Sequence, residues 1–130
     1  MNILQHILTK YPFSCIIVIG TWILCFMTIP ETPLSSVRFI DKWTHSLIYL
    51  VLGLSISLEY IRTRKHPSPK FIVVWVWLIP VIMGGLIEIL QSNCTNGNRS
   101  GEWLDFYADA IGSTIALVIG ILLVRYRAKA

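Results

Sequence analysis

Four stretches of this chain are almost free of charge, and each is about as long as a bilayer is thick. Pro12 to Ile29 carries no charged residue, Trp43 to Leu58 only the ionisable His45, Phe71 to Leu90 only Glu88, and Ala110 to Val124 none. The last helix is expected to begin a turn earlier, near Phe106. A helix needs about 20 consecutive apolar residues to cross the hydrocarbon core. A transmembrane β-barrel would instead read as short alternating segments. Apolar residues make up 55% of the sequence and charged residues 14%, too little charge to cover a soluble domain of 130 residues. The expected fold is therefore an all-α integral membrane protein. It is a compact bundle of four transmembrane helices near 12–29, 43–61, 71–91 and 106–124, in a single domain over 1–130.

The first run follows a lone Lys10, as the apolar core of a signal peptide would. Its length, and the absence of a small-residue cleavage site around Thr28-Ile29-Pro30-Glu31, lead to the expectation of a retained helix. The net charge of +4 does not point to nucleic acid, because the basic residues stand in short segments beside helix ends. The N-terminal segment, the 62–70 loop and the tail hold Lys10, Arg62, Arg64, Lys65, Lys70, Arg125, Arg127 and Lys129. The opposite side holds Arg38, Lys42 and Arg99. The side richer in Lys and Arg faces the cytoplasm, so both termini are expected inside a plasma membrane, with loops 30–42 and 92–105 outside. Pro67 and Pro69 break the chain between the second and third spans. Cys15, Cys25 and Cys94 are too scattered for a disulfide framework.

On this topology the unusual polar residues collect at one depth, the outer rim. Asp41, Lys42 and His45 open the second span, and Glu88 and Gln91 close the third. Arg99, Glu102 and Asp105 occupy the outer loop, and Asp109 lies a turn into the fourth span. Helical spacing sorts them into three stripes: Asp41, His45 and Tyr49; Gly84, Glu88 and Gln91; Asp105, Asp109 and Gly112. A charged group facing lipid at the centre of a span costs about 2.5 kcal/mol or more, so the stripes are expected to face one another around a small polar pocket. Gly112, Ala116 and Gly120 form a small-xxx-small ridge, and Gly84-Gly85 thins the third helix, which suits close helix approach.

These same residues resemble the VanZ-like family. Asp41-Lys42-Trp43-Thr44-His45 through Tyr49 to Gly53 is similar to its D-K-x-x-H-x-x-x-Y-x-x-x-G signature. Glu88-Ile89-Leu90-Gln91 resembles its E-x-x-Q. Arg99-Ser100, followed by Asp105, Asp109 and Gly112, resembles its R-S…D-x-x-x-N-x-x-G, with Asp109 standing where the family often has Asn. The likeness runs over roughly residues 15–124. It implies a helical membrane protein of the cell envelope, mostly bacterial, whose founding member is associated with teicoplanin resistance. No agreed reaction comes with the family.

The residues themselves leave several roles open. His45 suits proton transfer, or a polar staple between helices. Glu88 and Asp109 suit a pair of catalytic carboxylates, or partners for Arg99. Arg99 suits a bidentate clamp for an anionic group, or an anchor for its own loop. His45, Glu88 and Asp109 are thus the candidate catalytic residues, with Asp41, Lys42, Tyr49, Gln91, Arg99 and Asp105 around them for binding. A metal site made from His45, Glu88, Asp105 and Asp109 is possible by ligand type, but no HxxxH or HExxH spacing supports it, so no metal site is expected, nor any cofactor. No G-x-S-x-G is present, which argues against a serine hydrolase. The expected partner is a membrane lipid or a lipid-linked envelope precursor. Two functions fit: recognition of a lipid-linked or cell-wall group that alters glycopeptide susceptibility, or a membrane enzyme acting on a phosphate- or sugar-bearing head group.

Overall fold

The computed structural model describes residues 2–26, 40–94 and 103–129, and side chains within 2–24, 43–90 and 104–127. The described residues are helical nearly throughout: α1 (Ile3–Lys10), α2 (Pro12–Phe26), α3 (Ile40–Thr63), α4 (Pro69–Ile72), α5 (Ile79–Cys94) and α6 (Trp103–Lys129). A π-helical segment, Val73–Leu78, joins α4 to α5 without a break. Three helical runs are long and apolar enough to cross a membrane: Trp43–Thr63, Pro69–Leu90 and Leu104–Arg127. A fourth is reached if α1 and α2, bent by 100°, are counted as one span. The last helix extends beyond the expected boundary at 124, because no breaker interrupts Arg125-Tyr126-Arg127.

The core is the contact of α3 with α6. Their residues meet in ascending order: His45 with Asp109, Ser46 with Gly112, Gly53 with Ala116, Ser57 with Gly120. The two helices are therefore parallel, as they must be if α4–α5 returns between them. The small-residue ridge sets how closely they approach. A Cβ on Gly112 would run into the Ser46 carbonyl oxygen and lie 3.1 Å from Leu50 N. A Cβ on Gly53 would meet Ala116 Cβ and lie 2.9 Å from Val76, while one on Gly120 would lie 2.7 Å from Ser57 Oγ and 2.9 Å from Ile72. Glycine at these points lets the α4–α5 run nest against both parallel helices, as small residues do where membrane helices associate. Ile72, Val76, Ala116 and Val124 are buried in this seam together with Tyr60.

The end of the molecule where α3 and α6 finish is closed by aromatic rings. Tyr60 and Phe71 stack at 3.8 Å between centroids, with Tyr11 and Trp75 flanking Phe71 at 6.3 and 6.0 Å. The Tyr60 hydroxyl accepts from Ser68 N at 2.8 Å, which fixes the short 64–68 connection. Ser68 in turn caps α4, with Pro69 at its first turn. α1 turns away from α2 at Tyr11, whose N–H donates to Ile7 O while its own carbonyl accepts from Cys15 N. The small helix buries none of its residues and leaves Ile3, Leu4, Ile7 and Leu8 exposed along one side.

Candidate functional site

At the other end, three helix termini bring polar side chains together. α3 enters with His45, α5 leaves with Glu88, and α6 enters with Asp105 and Asp109. All four are buried, at 9%, 3%, 7% and 1% exposure. Helical periodicity explains the selection of faces. His45 and Tyr49 are one turn apart, as are Asp105 and Asp109, so both members of each pair turn inward while Trp43, Leu47, Tyr107 and Ile111 point out. Gly84 makes room on α5, where a Cβ would lie 2.7 Å from Asp109 Oδ2.

The central contact is between His45 Nδ1 and Asp109 Oδ1, at 2.8 Å. Because Nδ1 is engaged by the carboxylate, the ring is fixed in orientation and Nε2 is the nitrogen turned to other groups. Asp105 Oδ2 lies 3.9 Å from that Nε2, beyond a direct hydrogen bond but well within electrostatic reach. Glu88 completes the group: it, His45 and Asp109 each offer a ligand atom, and these atoms lie within 4.8 Å of one another. The arrangement is thus one imidazole among three carboxylates, enclosed by helices. It can hold or move a proton, and it can hold a small cation.

The structure brings together four of the residues expected from the sequence: His45, Glu88, Asp105 and Asp109. Tyr49 is buried one turn deeper on the His45 face. Asp41 and Lys42 stand on the first turn of α3 and Gln91 on the last turn of α5, but their side chains lie outside those described, and Arg99 lies outside the described residues altogether.

Sequence reasoning missed a further buried carboxylate at the opposite end. Glu59 of α3 is 7% exposed and accepts from the N terminus of α2. Its Oε1 receives Ser14 N at 3.0 Å, Ser14 Oγ at 2.6 Å and Ser55 Oγ at 3.2 Å, and its Oε2 receives Phe13 N at 3.3 Å. A carboxylate is favourable there because the first N–H groups of a helix have no intrahelical acceptor and carry a partial positive charge. The signal was present in the sequence. Tyr11-Pro12 opens α2 with no Ser, Thr, Asp or Asn at the capping position, so an acceptor had to come from elsewhere.

No protein-family model, no curated protein and no solved structure matches this chain.

Proposed function

We propose that this chain is a multi-pass protein of the cell-envelope plasma membrane, a compact bundle of four transmembrane helices with both termini in the cytoplasm. Its outward-facing pocket recognises a polar group carried by a lipid or a cell-wall precursor, and through it influences susceptibility to glycopeptide-type antibiotics, as the resemblance to the VanZ-like family suggests. The observation that carries the pocket is the His45–Asp109 contact with Glu88 and Asp105 around it. Three distant parts of the chain deliver ionisable groups to one buried point, and intramembrane ionisable groups are costly and by default point to a functional site. The charge asymmetry of the loops supports the orientation, and α1, at 100° to α2 with an exposed apolar side and Lys10, suits a helix lying along the inner surface.

The test is mass spectrometry of lipids co-purified with the wild-type chain and with His45→Ala and Glu88→Gln variants that keep their helicity. A lipid or lipid-linked species present with the wild type and depleted with both variants is the expected result. Identical lipid profiles for all three proteins would refute recognition at this pocket.

A second reading draws on the same contact. A carboxylate that fixes one imidazole nitrogen leaves the other positioned to exchange a proton with a bound group, as a general acid or base requires. Hydrolysis or transfer of a phosphate- or sugar-bearing head group would use His45 in that role, with Asp109 orienting it. Phosphate release from lipid phosphates by purified protein, abolished by His45→Ala, is the outcome that selects this reading.

A further inference from the structure

We propose that His45, Glu88 and Asp109 form a binding site for a divalent transition-metal cation of the zinc class. The inference rests on the same pocket as the proposed function and says what occupies its floor. The ligands come one from each of three helices, so the site carries no local ligand spacing in the sequence.

Three observations support it. The three ligand atoms lie within 4.8 Å of one another, so an ion among them needs only small side-chain movements to reach the ~2.0–2.2 Å bonds of nitrogen and carboxylate ligands. One imidazole with two carboxylates is a ligand set such ions accept, and three protein ligands leave a fourth position for water or a guest. Finally, Ser113 is fully buried one turn below Asp109, and its hydroxyl has no hydrogen-bond partner among the described residues. Helix side chains tilt toward the helix N terminus, which aims this hydroxyl at the turn bearing Asp109.

Asp105 has a distinct place in this arrangement. With Nδ1 turned to the ion, Nε2 faces Asp105 Oδ2 at 3.9 Å, on the side where metal-bound imidazoles commonly find an outer carboxylate that orients them.

The experiment uses the full chain purified in detergent and stripped of metal with a chelator. It is titrated with zinc chloride by calorimetry and with cobalt chloride by visible absorption, with ethanolamine as a competing cation. The expected result is one ion per chain, the visible absorption of cobalt in a low-coordinate site, and a melting temperature that rises with added zinc. Glu88→Gln and His45→Ala should each weaken zinc binding by roughly a hundredfold or more, while Glu59→Gln, a carboxylate at the far end, should leave it unchanged. Glu88→Gln preserves shape, so its helicity and melting curve separate loss of a ligand from loss of fold. Absence of the cobalt spectrum, a titration unaltered by Glu88→Gln, or displacement of zinc by ethanolamine would each overturn the proposal. Lipid co-purification distinguishes this from the broader reading. A His45-dependent lipid without metal binding defeats only the cation site, and metal binding without such a lipid defeats only the head-group reading.

Discussion

Both ends of this helical assembly bury carboxylates, but they satisfy them differently. At the Glu59 end a single carboxylate receives two backbone N–H groups and two serine hydroxyls, all belonging to the start of α2 or the adjacent turn of α3. It fastens α2 to α3 and completes a helix terminus. At the His45 end three carboxylates gather around one imidazole, drawn from three helices. Burial of an acid therefore does not by itself mark a site. Glu59 is saturated by donors of the helices it joins, whereas the His45 cluster draws its carboxylates from separate helices to one buried imidazole.

An order of effects on stability follows from this contrast. The largest belongs to Glu59→Ala, which strips acceptors from Phe13 N and from Ser14 N and Oγ together. Loss of a cap and of charge-assisted bonds should cost about 2–4 kcal/mol, read from thermal unfolding in detergent. Glu59→Gln keeps one acceptor oxygen and should cost markedly less. Equal losses for the two variants would mean that Glu59 acts through something other than capping.

Next comes Gly112→Ala. The new methyl meets the Ser46 carbonyl of the parallel helix, a backbone group with no flexible end to yield. Separation of α3 from α6 should cost about 1–3 kcal/mol, and it should also disturb the His45–Asp109 contact one turn above. Unfolding midpoints and lipid co-purification report the two consequences separately. Gly112→Ala with an unchanged midpoint would break the account of how the seam is set.

The amide substitutions at the His45 end should be milder for stability. Glu88→Gln removes a charge from a crowded acidic group while keeping its shape, so its midpoint should move by about 1 kcal/mol or less, in either direction. Smallest of all is Gly20→Ala on α2, where a Cβ meets nothing within 4 Å. It should leave stability unchanged or raise it by up to about 1 kcal/mol through helix propensity. A clear loss there would mean that α2 is packed at this point, against the open space that surrounds Gly20.

Much of this was legible in the sequence, for reasons that can be traced to residues. The charge-free runs and the i, i+4 pairs His45/Tyr49 and Asp105/Asp109 located the helices and their inward faces, since lipid leaves few alternatives for a backbone or a carboxylate. The Gly112-Ala116-Gly120 ridge was visible as packing, but its partner groove on α3, made by Ser46, Gly53 and Ser57, was not, because no pattern in one helix states which neighbour it meets. Glu59 escaped notice because it sits just beyond an apolar run beside Arg62 and Arg64, where an acid looks like ordinary flanking charge. The π-helical Val73–Leu78 escaped because Val-Val-Trp-Val-Trp-Leu carries no glycine or proline to announce a change of winding. The bend at Tyr11-Pro12 could have been suspected from proline at the first turn, but nothing local in the sequence states its 100° angle.

The most direct test of the central claim is a single comparison of Glu59→Ala with the double amide Glu88→Gln/Asp109→Asn, each measured for unfolding midpoint and for co-purified lipid. The double amide should keep a midpoint near that of the wild type and lose the lipid, while Glu59→Ala should lose about 2–4 kcal/mol of stability. A double amide that unfolds as readily as Glu59→Ala yet retains the wild-type lipid profile would contradict it, and would make the His45 cluster a staple of the fold.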